Sequence, residues 1–305
     1  MANSGRITTG QIPRALQLGV DKFIQHYEHD YPIIGDELFT KVKAEKGFYE
    51  AVQLAGMGLA SRKNEGDAIT YDSIDQDWVY RWPVHVYEKS ARITMEMIQD
   101  NLYQDMLPML AKEQVKALKH NRDTQMALIL NRAFNASFTG PDASTLCSTS
   151  HAIQAGGTSS NRLSPDLDLS EDAVEQTVIL IDKFLNPDGL KSEYKSKYLA
   201  VPVDLKYEAC RILKSKYQTN SANNDVNALF HRGDIEDYVV WKRLSDTDAF
   251  FITTDADNSL MVAERKGIET RMFNDPFTYD VVVTAYERFR ALFADWRGIA
   301  GTQGA

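Results

Sequence analysis

The chain is short of cysteine, of positive charge and of long apolar runs, and each shortage removes a class of protein. Two cysteines in 305 residues, Cys147 and Cys210, are too few for a disulfide framework and point to a reducing compartment with free thiols. Acidic residues outnumber basic ones by 43 to 34, for a formal charge of −9. That balance opposes tight binding to nucleic acid, whose phosphates demand a basic surface, and favours solubility and repulsion between copies. No apolar run approaches the ~18 residues that span a bilayer, so no membrane contact is expected. The start lacks the charged head and apolar stretch of a signal peptide. Walker A, dinucleotide and metalloprotease signatures are missing too. What is present is ordinary globular composition, 43% hydrophobic and 25% charged, enough for one elaborate domain or two coupled ones.

Residues 1–50 read as a weakly packed arm. A polar start leads into the short amphipathic stretch "RALQLGVDKFIQHYEHDYPII", which stops at Pro32. From residue 51 the character changes. A glycine-rich, charged segment, Gly56 to Asp67, precedes "DWVYRWPVHVYEKSARITMEM", where Trp78, Tyr80 and Trp82 share one parity. Aromatic and β-branched residues at period two predict an extended strand, with Gly56–Asp67 as its flexible partner, and Pro83 makes it an edge or protruding strand. Rings that large, so far from other apolar sequence, need a cover. A helix of roughly 40 Å is predicted from about Leu107 to Phe134, with Pro108 in its first turn. Tyr103, Met106, Leu110, Ala117 and Leu128 fall on one face, and Lys112, Lys116 and Lys119, extended by Arg122, form a basic stripe opposite.

Beyond it, elements mix. Ser170 is placed to cap a helix through "LSEDAVEQTVILIDKFLN", "KYLAVPV" reads as a buried strand, and Asp204 is placed to cap "DLKYEACRILKSKY". "AFFITTDADNSLMVAERK" reads as a hairpin around Asp255–Ser259. "FTYDVVVTAYERFRALFADW" suits either strand or helix. The sum is an α+β chain with a mixed or antiparallel sheet and no internal repeat.

Three stretches imitate chemistry. "TLCSTSHAIQAGGTSSN" puts Ser148 and Ser150 beside His151, but its glycines trail the histidine where a nucleophile elbow needs them around the serine. His26 and His29, with Glu28 and Asp30, have metal-ligand spacing without a third or fourth ligand. Asp255, Asp257 and Ser259 begin like a calcium loop, yet Leu260 and Lys266 stand where glycine and glutamate are required. No catalytic, cofactor or metal site is assigned, and no enzyme is expected.

The order of elements, and phrases such as "LCSTSHAIQAGGTSSN", "YLAVPVDLKYEACRILKSKY", "SANNDVNAL", "WKRLSDTDAFFITTD" and "DWRGIAGTQGA", resemble the major capsid proteins of tailed bacteriophages with the HK97-type fold. That resemblance implies an N-arm at 1–50, an E-loop hairpin at 51–101, and the spine helix with the start of the peripheral domain at 102–165. The axial domain follows at 166–254, returning peripheral strands at 255–295 and a closing segment at 296–305. It further implies a structural loop around Ser150 and His151. The function implied is self-assembly into an icosahedral shell of hexamers and pentamers around double-stranded DNA, without sequence-specific binding.

Trp78, Tyr80 and Trp82 then become candidate contacts between subunits, and Lys112, Lys116, Lys119 and Arg122 a candidate basic stripe facing the lumen. Separate scaffold and portal proteins, decoration proteins, assembly in a host bacterial cytoplasm and residence in the virion head also follow from the resemblance. Only about 50 residues precede the hairpin, so no large propeptide is expected. No cross-link is expected either: Lys63 lies on the hairpin, but no partner asparagine is assignable. The competing readings are a cellular nanocompartment shell and a serine hydrolase using Ser150 and His151.

Overall fold

The computed structural model describes residues 31–66, 68, 69, 71, 74, 76–100, 103–218 and 225–305. The histidine pair at 26 and 29, most of the arm and the start of "SANNDVNAL" lie outside these residues. Strand β1 is Thr40–Lys43, β2 Phe48–Leu54, β3 Gln76–Pro83 and β4 His85–Ile93. Helix α1, Met95–Gln99, leads to the long helix α2, Tyr103–Asn131. After the two-residue strands β5 (His151–Ala152) and β6 (Thr158–Ser159) come α3 (Glu171–Ile181), β7 (Ser196–Val201), α4 (Lys206–Lys214), α5 (Ala228–Arg232) and β8 (Asp237–Val240). Strands β9 (Phe250–Thr254), β10 (Leu260–Asn274), β11 (Val281–Phe293) and β12 (Ile299–Thr302) complete the order.

Among the described residues these strands make two four-stranded sheets, β1-β10-β11-β4 and β12-β9-β7-β8, and two ribbons, β2-β3 and β5-β6. In the first sheet β10 and β11 form a long antiparallel hairpin, with β1 parallel to β10 at one edge. In the second, β7 and β8 run parallel, joined by the crossover that carries α4 and α5. This is the expected α+β class. "FTYDVVVTAYERFRALFADW" resolves as strand β11, because its alternation at Val281, Val283 and Ala285 seats those residues against Ile93, Val115 and Leu118.

Several local expectations change. The arm is not bare: Leu38 and Phe39 are buried in the main core with Met126, Leu130 and Trp241. Pro83 does lie on an edge strand, as expected, because β3 belongs to a two-stranded ribbon. It ends β3, which pairs with β2 from Phe48↔Pro83 to Leu54↔Gln76, and the chain re-enters as β4 in a different sheet. The partner of the aromatic strand is therefore Phe48–Leu54, upstream of Gly56–Asp67. Asp255–Ser259 does not turn a hairpin either, since β9 belongs to the second sheet and β10 to the first. That crossing is tight, because a Cβ on Gly298 would stand 1.7 Å from the Ser259 Cβ. Ser170 does cap α3, accepting from the Ala173 amide at 3.2 Å. Asp204 does not cap α4; Leu205 holds that position with no side-chain hydrogen bond.

Helix α2, about 44 Å long at 1.5 Å per residue, is the element both sheets share. Ala111, Val115 and Leu118 meet the first sheet, while Met126, Ala127 and Leu130 reach the core common to both. The face expected from Leu110, Ala117 and Leu128 is only half-buried.

Candidate functional surfaces

His151 ends the loop that follows α2, and its imidazole is fully buried. Nδ1 lies 2.5 Å from Asp142 Oδ2, and Nε2 lies 2.9 Å from Asn161 Oδ1. The ring stacks on Trp296, centroids 4.4 Å apart and planes 8° from parallel. Asn161, also fully buried, donates through Nδ2 to the carbonyls of Leu146, Trp296 and Ile299. Its Oδ1 accepts from the Ser148 amide at 2.8 Å. Those three carbonyls fix the amide orientation, so His151 Nε2 meets an oxygen and no hydroxyl. Both ring nitrogens are engaged by Asp142 and Asn161, so neither is directed at Ser150, whose exposed amide bonds to Ser148 Oγ. The cluster is a clamp: it ties the loop after α2 to the closing segment at Trp296–Thr302.

A second tie lies alongside. Arg162 donates to Asp166 through Nε (2.8 Å) and Nη2 (2.5 Å), and Thr302 Oγ1 donates to Asp166 Oδ1 at 3.3 Å. The bonds from Arg162 are the largest cause holding the Asp166 carboxyl below its ordinary range. A carboxylate depressed on folding adds stability above its unfolded value and loses it as pH falls through the folded one. Acidification below about pH 4 should therefore loosen this segment. Melting temperature measured against pH should fall less steeply at the acid end for Asp166→Asn than for the parent chain. Parallel curves would contradict the assignment.

The remaining candidates fall out as follows. Asp255 Oδ1 accepts the Lys195 amide at 2.8 Å, which occupies it as a turn residue. Burial pushes the Cys147 thiol well above its ordinary range. Among the described residues, no group of three His, Cys, Asp or Glu side chains is placed to hold a metal ion, and no helix is long and apolar enough to cross a membrane.

The lysine stripe is not uniform. Arg122, expected on it, is only 7% exposed and turns into the body. It lies 2.5 Å from Glu264 Oε2 and 3.7 Å from Glu287 Oε2. Lys119 Nζ donates to the Tyr31 carbonyl at 3.0 Å, and Lys116 lies 3.9 Å from Glu113.

The three aromatics of β3 divide. Trp82 is buried in its own chain against Ala44, Val84, Met261 and Leu292, so it roots the β2-β3 hairpin rather than offering a free contact. Trp78 is half-buried over a cleft beside Asn258 and Asp295. Tyr80 stays 42% exposed. Further out the sequence pattern missed a larger signal: Leu59, Ile69 and Tyr71 are 83%, 67% and 94% exposed on one limb. The turn between β10 and β11 presents Phe277 at 91%. That turn is held by Arg92, which bridges Asp275 and Asp280, and by Tyr279 at φ 62°.

No protein-family model matches the chain, and no curated protein does. Solved structures do. The capsid of a native GTA particle matches with a TM-score of 0.57 at 11% identity, covering 90% of this chain and 91% of that one. The procapsid of bacteriophage JBD30 matches with a TM-score of 0.52 at 12% identity, covering 97% and 76%. The holo-SrpI encapsulin complex from Synechococcus elongatus PCC 7942 matches with a TM-score of 0.54 at 8% identity, covering 90% and 88%. At these identities the likeness is one of fold.

Proposed function

From its HK97-type fold we infer that this chain is a shell subunit. Copies assemble as hexamers and pentamers into a closed icosahedral capsid around a double-stranded DNA phage genome, and the chain is not an enzyme. The observation that carries the reading is a fold shared along nine-tenths of the chain with the capsid of a GTA particle. Two limbs that expose apolar side chains support it, since burial on a neighbouring copy yields roughly 25 cal/mol per Å² that one subunit alone does not gain. Tyr80 and the half-buried Trp78 remain contact candidates, joined by Leu59, Ile69, Tyr71 and Phe277. Trp82 acts as the root that aims the hairpin.

The net charge of −9 suits a container that does not grip its cargo. In this reading Lys112, Lys116 and Lys119 face the lumen and screen packaged phosphate. Separate scaffold, portal and decoration proteins, assembly in the host cytoplasm and residence in the virion head belong to the same proposal.

A nanocompartment that encloses protein is the second reading, favoured by the likeness to an encapsulin. The contents of nuclease-treated particles from the native source separate the two. Protected double-stranded DNA of uniform length is the expected result, and a protein cargo without DNA would overturn it. Changing the three lysines together to glutamine should shorten or destabilise the packaged DNA; unchanged length and stability would remove them from the account.

A further inference from the structure

We infer that Asp123 is a positioning residue that fixes the setting of the second sheet against helix α2, and through it the diameter of the shell. The diameter part rests on the shell-subunit reading. Asp123 projects from the middle of α2 and is nearly buried. Its Oδ1 accepts from Trp241 Nε1 and from the Gly35 backbone amide, both at 3.1 Å. Its Oδ2 accepts from Arg243 Nε at 2.5 Å. The same guanidinium reaches His120 Nδ1, one turn earlier, through Nη2 at 2.5 Å. One carboxylate thus gathers two segments, one 88 residues away in sequence and the other 118 to 120.

A second anchor holds the same connection between β8 and β9. Asn131 Nδ2 donates to the Arg243 carbonyl at 2.9 Å, and its Oδ1 accepts the Ser245 amide at 3.0 Å. Asp123 and Asn131 stand about 12 Å apart along the helix. Two anchors at that separation fix both translation along α2 and rotation about the contact.

The surroundings show why direction matters. Met126, Leu130, Trp241 and Phe251 form the apolar core at this joint. Contacts of that kind are non-directional and tolerate sliding, whereas buried hydrogen bonds select one arrangement. Gly35 fits the same pattern, because a Cβ there would stand 2.9 Å from Met126 Cε and 3.0 Å from Trp241 Cζ2. A bare backbone is needed for that amide to reach the carboxylate. The first sheet is fixed to the same helix independently, through Gln114 Nε2 to the Val283 carbonyl at 2.9 Å and Arg122 to Glu264. The helix therefore relays one sheet's orientation to the other. In a closed assembly the angle within each subunit accumulates into curvature.

Asp123→Asn keeps the side chain's size but turns an amide donor toward a guanidinium. Arg243→Lys, at the more exposed end of the bond, is the milder change. Two measurements on the full-length protein test the inference. Electron microscopy of assembled particles should show a shifted or split diameter in the variants where the parent gives one. Spin labels on Lys89→Cys and Arg211→Cys, in a Cys210→Ser background, should give a broadened or displaced distance in the unassembled variants. Variants that lose thermal stability yet keep the parent's diameter and distance would overturn the positioning role and leave Asp123 a stabilising residue only. If the parent forms no particle, the shell reading fails, and the label distance still decides whether Asp123 sets the angle.

Discussion

Asn161→Ala should lower the unfolding free energy by about 3 kcal/mol or more, because it strands several buried polar groups at once. The carbonyls of Leu146, Trp296 and Ile299, the Ser148 amide and His151 Nε2 all lose a partner. Each such group costs about 1–3 kcal/mol when left buried and unsatisfied, and the costs do not add fully because the site can relax or admit water. His151→Ala should follow with a loss of about 3–5 kcal/mol, leaving Asp142 Oδ2 without its partner and opening a ring-sized space against Trp296. Chemical denaturation of both variants reads these values. Losses below about 1 kcal/mol would mean that the closing segment is held by something other than this clamp. The same pair settles the hydrolase alternative: ester hydrolysis by the parent that vanishes in a still-folded His151→Ala would revive it.

The second large effect is on assembly with the fold kept. Joining Ala55 to Gln76 through a short glycine linker removes the outer part of the β2-β3 limb. Leu54 pairs with Gln76, so a tight turn can close the ribbon, and Trp82 stays rooted against Met261 and Leu292. None of the described residues between Gly56 and Ile74 belongs to a core cluster. The shortened chain should therefore melt close to the parent and form no closed shells. A milder version, changing Leu59, Ile69 and Tyr71 to serine, should weaken assembly with folding unchanged. Normal particles from the shortened chain would show that this limb is dispensable. A collapse in melting temperature would show that it belongs to the subunit's own core.

How much of this was readable beforehand depended on the kind of contact. The long helix was legible, because almost nothing in Tyr103–Asn131 breaks a helix, and so was the aromatic strand, because Trp78, Tyr80 and Trp82 alternate. The buried face of the helix was not. Two sheets pack on it, so the buried arc is wide, and it is filled partly by alanines and by Gln114, Arg122 and Asp123. A periodicity that scores apolar residues assigns such side chains to solvent. The same scoring puts Arg122 among the surface lysines, whereas its partners on β10 and β11 lie more than 140 residues away.

The same limit hid the clamp. Asp142, Asn161 and Trp296, which surround His151, come from three separate segments, and no local spacing joins them. Strand pairing was missed where the chain changes sheets, at Pro83 and at Asp255–Ser259. A turn signal marks a change of direction without saying which sheet the next strand enters.

In this reading the polypeptide completes its hydrophobic burial on copies of itself. Electron microscopy of the purified full-length chain at high concentration tests it most directly. Closed shells, tubes or ring-shaped capsomers are the expected result. A protein that stays strictly monomeric, with Leu59, Ile69, Tyr71 and Phe277 still in solvent, would contradict it.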